Sequence, residues 1–511
     1  MEKTVISNLR SGIGLIVILS FVTACALAGT VSVSPGSAAA GSLVAAVGTG
    51  LGSSETAHLY FDNAKVTSAT AADDGAFAFS FTIPQDAKAG THTVKVIGEV
   101  SGLVESATFA VQTSWPSFKN VAARTGFNST ETTIGTSNAA RLQLSWQGSM
   151  GDLVDFSSAA VVNGVAYIGS FDGKLYAFNA NGCAPATICQ PLWSGATGND
   201  ITNSPAVANN VVYVGSADHK LYAFNAKGCG KSSCSPLWTG ALGGSILESS
   251  PLVVNGVVYV GGFDKKFYAF NANGCGKSSC SSLWTATTGG QITSSPAFAN
   301  GTVYVGSQDG KLYAFNANGC GKTTCSPLWT AQAGSSIIES GPAVSNGVVY
   351  IGSFDKNLFA FNASGCGKST CQPLWTGTTG PFVSSSPSVA NGVVYVGDGD
   401  GLFYAFNASG CGSSTCSPLW TGIATGEQAA IVSAPAIANG LVYVSENNGM
   451  VMVFNANGCG SSLCSPITQL LTLNEQIVSS SPVVVNGSVY VGSANQDAAP
   501  IGRLYVFKLA N

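Results

Sequence analysis

The chain of 511 residues has a formal net charge of -4, and only 9% of its residues are charged. An ordinary soluble protein has about 25% charged residues, so this composition argues against polyanionic partners and predicts no nucleic acid binding. Three histidines leave few general bases or nitrogen ligands for an enzyme or a metal site.

The first 25 residues have the features of a bacterial export signal. Lys3 and Arg10 precede an apolar run at 13–22, which has the length of a secretory hydrophobic region and is short for a membrane span. Val22-Thr23-Ala24-Cys25 resembles a lipobox, in which the cysteine becomes the lipidated first residue of the mature protein. We predict an exported protein, anchored to the envelope by a lipid on Cys25 and facing the periplasm or the cell exterior. The alternatives are an ordinary signal peptide with a chance cysteine and an uncleaved anchor.

Residues 31–113 alternate short β-rich runs with turns such as Asp73-Asp74-Gly75 and Lys88-Ala89-Gly90. Several short strands within about 80 residues predict a small β-sandwich. The stretches SVSPGSAAAGSLVAAVGTGL and ADDGAFAFSFTIPQDAKAGTHTVKVIGE resemble bacterial immunoglobulin-like modules. That resemblance implies a spacer or adhesive module on an exported protein.

Residues 114–141 form a polar junction that contains Trp115-Pro116 and has no long periodic segment. We predict that this junction packs on the larger domain that follows, with Trp115 buried against it. A free linker is the alternative.

A phrase repeated eight times fills residues 142–511, and its clearest copy, at 300–329, reads NGTVYVGSQDGKLYAFNANGCGKTTCSPLW. Each copy holds four short β-runs, and Asn-Gly and Asp-Gly turns separate the first three. Four antiparallel strands in about 45 residues are the pattern of a β-propeller blade. Seven tryptophans mark the fourth strands and are predicted to dock neighbouring blades: Trp146, Trp193, Trp238, Trp284, Trp329, Trp375 and Trp420.

The two ends of the repeat region predict how the ring closes. The eighth copy has no fourth strand, and an extra strand of that type precedes the first copy at 142–146. We therefore predict an all-β chain with an eight-bladed β-propeller, in which the N-terminal strand completes the last blade. A seven-bladed ring with one stray repeat would leave both incomplete ends unexplained.

Seven copies carry a cysteine pair between strands 3 and 4, and these pairs with Cys25 account for all fifteen cysteines. Each loop offers two thiols and no histidine, whereas a structural metal site needs four ligands. In an exported protein such pairs are predicted to form local disulfides that hold strand 4 at the outer edge of the ring. The pairs are Cys183/Cys189, Cys229/Cys234, Cys275/Cys280, Cys320/Cys325, Cys366/Cys371, Cys411/Cys416 and Cys459/Cys464.

The phrase YVGSxDGxLYAFNAxxG…W resembles the pyrroloquinoline-quinone (PQQ) repeat of quinoprotein-like propellers, over about residues 115–510. This repeat builds quinone-dependent alcohol dehydrogenases and also non-enzymatic propellers, such as the lipoprotein subunit of the outer-membrane β-barrel assembly machine. In the dehydrogenases the quinone lies in the central funnel with a tryptophan floor, a disulfide of adjacent cysteines and a calcium ion. This sequence has no adjacent cysteines, and its tryptophans belong to strand 4 or to the junction. We therefore expect no cofactor, with PQQ and calcium as the alternative.

Acidic residues occur in the connections between strand 4 and the next strand 1, which are predicted to rim the funnel. Glu248 and Glu339 occupy equivalent positions in LESSP and IESGP, two blades apart, and Asp155 lies in the corresponding connection before blade 1. Carboxylates near the axis could bind a cation or act as acid and base. We favour the interpretation that they are solvated loop charges.

The leading hypothesis is a non-catalytic, envelope-anchored propeller that acts as a binding or scaffold module for a protein or envelope partner. The alternative is an oxidoreductase that binds PQQ or a cation at an atypical site. A second alternative is a surface protein that binds carbohydrate through its Asn, Ser and Thr loops. Function has to be decided by sites, because propellers serve many functions.

Overall fold

The computed structural model describes residues 29–84, 87–423, 429–472, 479–495 and 501–510. Cys25 and its lipobox lie outside these ranges. The chain divides into two units, of which the first comprises residues 29–36, 43–82 and 92–109 and the second comprises 37–42, 83–91 and the rest from 110 onward. No helix among the described residues has the length and apolar character that a membrane crossing requires.

The N-terminal region contains two sheets. The three-stranded antiparallel sheet has the order Thr30–Ser34, Leu43–Thr49, Phe77–Thr82. The five-stranded sheet has the order Ser37–Ala39, Val104–Gln112, Gly90–Gly98, Thr56–Phe61, Ala64–Thr70. Burial alternates along Phe77–Thr82 and Thr56–Phe61, which is the pattern of sheets with one face on a core. The immunoglobulin-like assignment of this region stays a prediction.

Eight blades of four antiparallel strands follow, as the sequence predicted. Blades 1 to 4 consist of Ala160–Val162, Val165–Gly169, Lys174–Asn179, Trp193–Ala196; Ala206–Ala208, Val211–Ser216, Lys220–Asn225, Trp238–Ala241; Leu252–Val254, Val257–Gly261, Lys266–Asn271, Trp284–Thr287; and Ala297–Ala299, Thr302–Gly306, Lys311–Asn316, Trp329–Gln332. Blades 5 to 7 consist of Ala343–Ser345, Val348–Ser353, Asn357–Asn362, Trp375–Thr378; Ser388–Ala390, Val393–Gly397, Leu402–Asn407, Trp420–Ile423; and Ala436–Ala438, Leu441–Glu446, Met450–Asn455, Thr468–Leu471.

Blade 8 confirms the predicted closure of the ring. Its first three strands are Val483–Val485, Ser488–Asn495 and Ile501–Leu509, and its fourth is Leu142–Ser149 from the start of the repeat region. The two ends of the propeller region pair antiparallel from Leu142 opposite Leu509 to Ser149 opposite Arg503. Outside the blades, the junction contributes the short strand Phe127–Asn128 and the 3-10 turn Ala139–Arg141.

Each disulfide loop is attached to the blade that precedes it. The seven predicted pairs form disulfides with Cα–Cα distances of 5.5 to 5.7 Å. Ser233–Cys234 of the blade 2 loop pairs parallel with Ser194 and Gly195 of blade 1, and equivalent pairings recur around the ring. Glycines of the same loops lie against the outer tryptophans. At Gly410 a side chain would not fit, since its Cβ would lie 2.7 Å from Trp375 Cδ1. The loops therefore link neighbouring blades as well as strands 3 and 4 of one blade.

The two cysteines of a pair differ in burial, which the sequence analysis did not predict. The first cysteine is exposed in six pairs, and only Cys183 is half-buried. The second cysteine is buried because it packs in the core between two blades, as Cys416 does with Trp375 of blade 5 and Phe406 of blade 6. A half-cystine is apolar and suits such a position. These buried cysteines, 3 to 7% exposed, are Cys189, Cys234, Cys280, Cys325, Cys371, Cys416 and Cys464.

A serine near the start of the first strand links neighbouring blades in six of the eight blades, whereas blades 5 and 7 have Gly341 and Ala434 at this position. The N–H of Ser204 donates to Ser250 Oγ at 3.0 Å, and the N–H of Ser250 donates to Ser295 Oγ at 2.9 Å. The same bond closes the ring from Ser481 to Ser158 at 2.8 Å. The serines of the SSP sequences are thus used to join blades, because buried polar groups require partners.

Candidate functional site

Residues 115–128, here called the channel segment, run along the inner edges of the blades. The first strand of each blade is an edge strand, and edge strands present unpaired backbone groups. The channel segment forms hydrogen bonds with these groups in several blades. Trp115 and Val161 exchange two backbone bonds of 2.8 Å, and Val207 N–H donates to the carbonyl of Pro116 at 2.7 Å. Four further first strands donate to the carbonyls of Ala122, Ala123, Thr125 and Gly126, each at 2.8 Å. The junction thus enters the channel, whereas the sequence predicted only that it packs on the propeller.

Two fully buried cations hold the channel segment in place. Arg124 is 0% exposed and donates from Nε to the Pro296 carbonyl at 2.9 Å and from Nη2 to the Pro251 carbonyl at 2.8 Å. Lys119 Nζ donates to the carbonyl of Pro387. These prolines end the sequence Ser-Ser-Pro in three different blades. The cations therefore cap backbone carbonyls that face the channel.

Burial sets the charge state of these cations. Desolvation lowers the pKa of Arg124 to about 9, so the guanidinium keeps its proton at neutral pH. Desolvation, with a smaller contribution from the nearby charge of Arg124, lowers the pKa of Lys119 well below its usual range. The guanidinium also lies over the Phe118 ring, 5.7 Å from its centroid. Sequence analysis gave neither residue a role. A lysine and an arginine close together in a chain with only 9% charged residues could have drawn attention to this segment.

Phe118 lines a small cavity of about 30 Å³. Glu248 and Glu339 line this cavity together with Phe156 and buried serines, of which Ser384 is only 5% exposed. In the connection before blade 4 one residue, Thr293, separates the isoleucine from the first serine, whereas two residues, of which the second is Glu248 or Glu339, do so before blades 3 and 5. Glu248 and Glu339 adopt positive φ values of 64° and 66° there. The two carboxylates that the sequence placed at equivalent positions thus line one cavity.

The three acidic candidates are half-buried, whereas we favoured solvated loop charges from the sequence. Burial raises the pKa of Glu248 to about 7. Burial, with the neighbouring carboxyl charges, raises the pKa values of Asp155 and Glu339 to about 8. Each of the three has one buried carboxyl oxygen without a hydrogen-bond partner in the described part of the chain.

The arrangement does not fit a resident metal or a quinone. Within the described ranges, no group of three or more His, Cys, Asp or Glu side chains could hold a metal ion. Sites for drug-sized ligands and cofactors occupy roughly 300–1,000 Å³, whereas the cavity that Phe118 lines has about 30 Å³. The strand 4 tryptophans lie in the outermost strands of the blades, away from the channel. No reaction step through either group follows from this geometry.

The funnel face also carries an exposed aromatic pair. Phe354, in the turn between strands 2 and 3 of blade 5, stacks on Phe382 of the next connection with ring centroids 5.4 Å apart. Each side chain is 36% exposed, and the Phe382 ring covers the backbone of Gly399. By contrast, aspartates in other turns of this type accept hydrogen bonds within their own blade. Tyr176 OH donates to Asp172 at 2.6 Å, and other blades repeat this bond. The aromatic pair is therefore an apolar feature of this face that a partner could contact.

Comparisons with known proteins agree with this architecture. The sequence model of the family described as outer membrane protein assembly factor BamB matches residues 190–278, 235–332 and 320–511. No curated protein gives a significant match. The structure of BamB from Moraxella catarrhalis is 19% identical, with a TM-score of 0.52, and the alignment covers 71% of this chain and 99% of that one.

Two quinoproteins are also similar in structure. Quinohemoprotein alcohol dehydrogenase from Comamonas testosteroni is 13% identical, with a TM-score of 0.59, over 78% of this chain and 81% of that chain. A europium-containing methanol dehydrogenase is 13% identical, with a TM-score of 0.58, over 78% of this chain and 98% of that chain. At these identities the similarity establishes the propeller fold alone.

Proposed function

The chain belongs to the family described as outer membrane protein assembly factor BamB, and we propose that it is a non-catalytic scaffold that binds a protein partner in the cell envelope. Export and a lipid anchor on Cys25 complete the proposal, on the strength of the signal sequence and lipobox. Mass spectrometry of the mature N-terminus tests the anchor, because an unmodified residue there would remove it.

The observation that carries the proposal is that the chain fills its own central channel. The channel segment bonds to the first strands of six blades through backbone groups, and Arg124 reaches a seventh. The cavity that Phe118 lines is about 30 Å³, and the channel segment lies where the quinone-dependent enzymes hold their cofactor. Binding is then left to the surfaces at the two ends of the ring, which is how propellers commonly contact other macromolecules.

We place the protein-binding surface on the funnel face, around Phe354 and Phe382. Aromatic side chains are enriched at interfaces and are frequent hot spots, since they bury a large apolar area at a low cost in conformational entropy. The two rings are already ordered by stacking and by the contact of Phe382 with Gly399. A partner would therefore meet a pre-organised apolar anchor.

A photo-cross-linking amino acid in place of Phe354 should capture a protein of defined mass from the intact envelope. The same amino acid in place of Leu463, which is 54% exposed in a disulfide loop at the opposite end of blade 7, should not capture that protein. In a chain that carries the cross-linker at Lys356, the double substitution Phe354→Ala with Phe382→Ala should lower the yield at least 10-fold. Equal yields from positions 354 and 463 would contradict the proposal. Capture of a polysaccharide from position 354 would favour the carbohydrate-binding alternative.

A further inference from the structure

Charge is segregated between the two ends of the propeller. In an antiparallel blade, the turns between strands 2 and 3 and the connections from strand 4 lie at one end, which we call the acidic end. The turns between strands 1 and 2 and the disulfide loops lie at the other, which we call the loop end. Every acidic residue of the blades that the structure describes lies at the acidic end: Asp152, Asp155, Asp172, Asp200, Asp218, Glu248, Asp264, Asp309, Glu339, Asp355, Asp398, Asp400 and Glu446.

The loop end carries lysines and no acidic residue of the blades. The seven disulfide loops and the eight Asn-containing turns contain neither Asp nor Glu in the sequence. Exposed lysines occupy one equivalent position, directly after Cys-Gly, in four consecutive blades: Lys231, Lys277, Lys322 and Lys368. The junction's Glu131 lies near blade 8 but is 1% exposed, and it accepts hydrogen bonds from the N–H groups of Thr133 and Gly487. Although the net charge of the chain is -4, these four lysines form a basic arc over blades 2 to 5.

An exposed leucine accompanies each lysine of the arc. The leucine directly before strand 4 is 50 to 55% exposed in the first six blades: Leu192, Leu237, Leu283, Leu328, Leu374 and Leu419. Leu419 of blade 6 and residues 460–462 of the blade 7 loop line one groove of about 530 Å³. Ser461 is the middle residue of 460–462, and the four lysines occupy the equivalent position in blades 2 to 5. The repeat thus places each lysine of the arc beside the leucine of the preceding blade.

Equivalent positions in a propeller lie at the same height along the ring axis. The four lysines therefore share one height and their leucines share one height, an arrangement that matches a flat and laterally uniform surface. A folded protein partner would instead present a surface that differs from blade to blade. Lysines near an anionic bilayer each contribute about 1 kcal/mol of attraction, and leucines at such a surface insert into the headgroup region.

We propose that the loop end docks on an anionic lipid bilayer, with these four lysines contacting headgroup phosphates and the adjacent leucines entering the headgroup layer. This inference rests on charge segregation and repeat geometry, so it stands or fails separately from the protein-binding function of the opposite end. It also leaves the funnel face, with Phe354 and Phe382, directed away from the bilayer.

The test is binding of the full chain to vesicles. All proteins carry Cys25→Ser, which removes lipid attachment at that residue. Binding is compared for vesicles of phosphatidylcholine alone and vesicles with one third phosphatidylglycerol, at about 0.05 and 0.5 M salt, because salt screens exposed charges. The test variant carries Lys231→Ser, Lys277→Ser, Lys322→Ser and Lys368→Ser. Blades 6 and 7 already have serine at this position, as Ser413 and Ser461, so the fold accommodates the change.

The matched control removes four exposed lysines from the acidic end, by Lys220→Gln, Lys265→Gln, Lys266→Gln and Lys356→Gln. We expect preferential binding to anionic vesicles at low salt, lost at high salt. At about 5-fold per lysine, the loop-end variant should bind at least 100-fold more weakly, and the control should change by less than 3-fold. Equal losses in both variants would overturn the proposal, as would equal binding to neutral vesicles or no binding to anionic ones. Retention by an acidic protein partner in place of vesicles would also overturn it.

Discussion

Replacing Arg124 with alanine is expected to destabilise the propeller by about 4 kcal/mol, because each buried polar group left without a partner costs roughly 1–3 kcal/mol. The guanidinium donates to the carbonyls of Pro251 and Pro296, to Phe118 and to Ser117 Oγ. Its removal would leave these acceptors buried, open a cavity and remove the side-chain bonds that join the channel segment to blades 3 and 4. The midpoint of guanidinium chloride denaturation, followed by tryptophan fluorescence, measures the loss.

Arg141→Ala is the control for this prediction. Arg141 lies in the same junction but is exposed and makes one bond to the Ala510 carbonyl, at 2.6 Å. Its loss should cost less than about 1 kcal/mol, as expected for an exposed position. If Arg124→Ala and Arg141→Ala unfold at the same denaturant concentration, the channel segment does not stabilise the ring. A smaller loss in Arg124→Lys than in Arg124→Ala is expected, since a lysine keeps part of the donor set.

The second large effect is a fall in stability as pH rises through neutrality. The carboxyl pKa values of Glu248 and Glu339 rise from the model-compound value of 4.5 to about 7 and about 8 in the folded chain. The folded state therefore binds more protons than the unfolded state between these values, and the free energy of unfolding decreases with pH over that window. A shift of this size at Glu248 alone corresponds to about 3 kcal/mol. Asp155 changes stability in the same direction.

Thermal unfolding between pH 5 and pH 8.5 measures this dependence. The wild-type chain should lose several kcal/mol of stability across the range, and Glu248→Gln with Glu339→Gln should lose much less and be the more stable protein at pH 8.5. Asp400→Asn removes an exposed carboxylate from the same end of the ring and is the control. A double variant with the wild-type pH profile would show that the two glutamates are solvated, as the sequence first suggested.

The parts of the fold that repeat were predictable from the sequence. Alternation of strands and Asn-Gly turns, the tryptophan period and the unmatched strand at 142–146 led to eight blades and to the closure between Leu142 and Leu509. The cysteine pairs were predictable because each lies within one loop of an exported chain. The burial of the second cysteine was not, because it depends on the neighbouring blade rather than on the loop. Strands, turns and disulfide loops depend on residues within one repeat, so the same pattern in several copies strengthens the prediction for each of them.

The contents of the channel could not be predicted in the same way. The channel segment occurs once, has no periodicity and bonds mainly through backbone groups, which leave no pattern in side-chain types. Its burial of Lys119 and Arg124 contradicts the usual exposure of these residue types. The environment of Glu248 depends on a single inserted residue and a positive φ, and sequence spacing gives the position of such a side chain but not its burial.

Titration with PQQ and calcium tests most directly whether the channel is filled by the chain itself. The full chain is mixed with the quinone and calcium ions, the absorption spectrum is recorded after dialysis, and dye-linked alcohol oxidation is assayed in parallel. We expect no stoichiometric quinone in the dialysed protein and no oxidation above background, because Phe118 and the channel segment occupy the space. One equivalent of bound quinone with dye-linked oxidation would contradict the scaffold function and establish the oxidoreductase alternative.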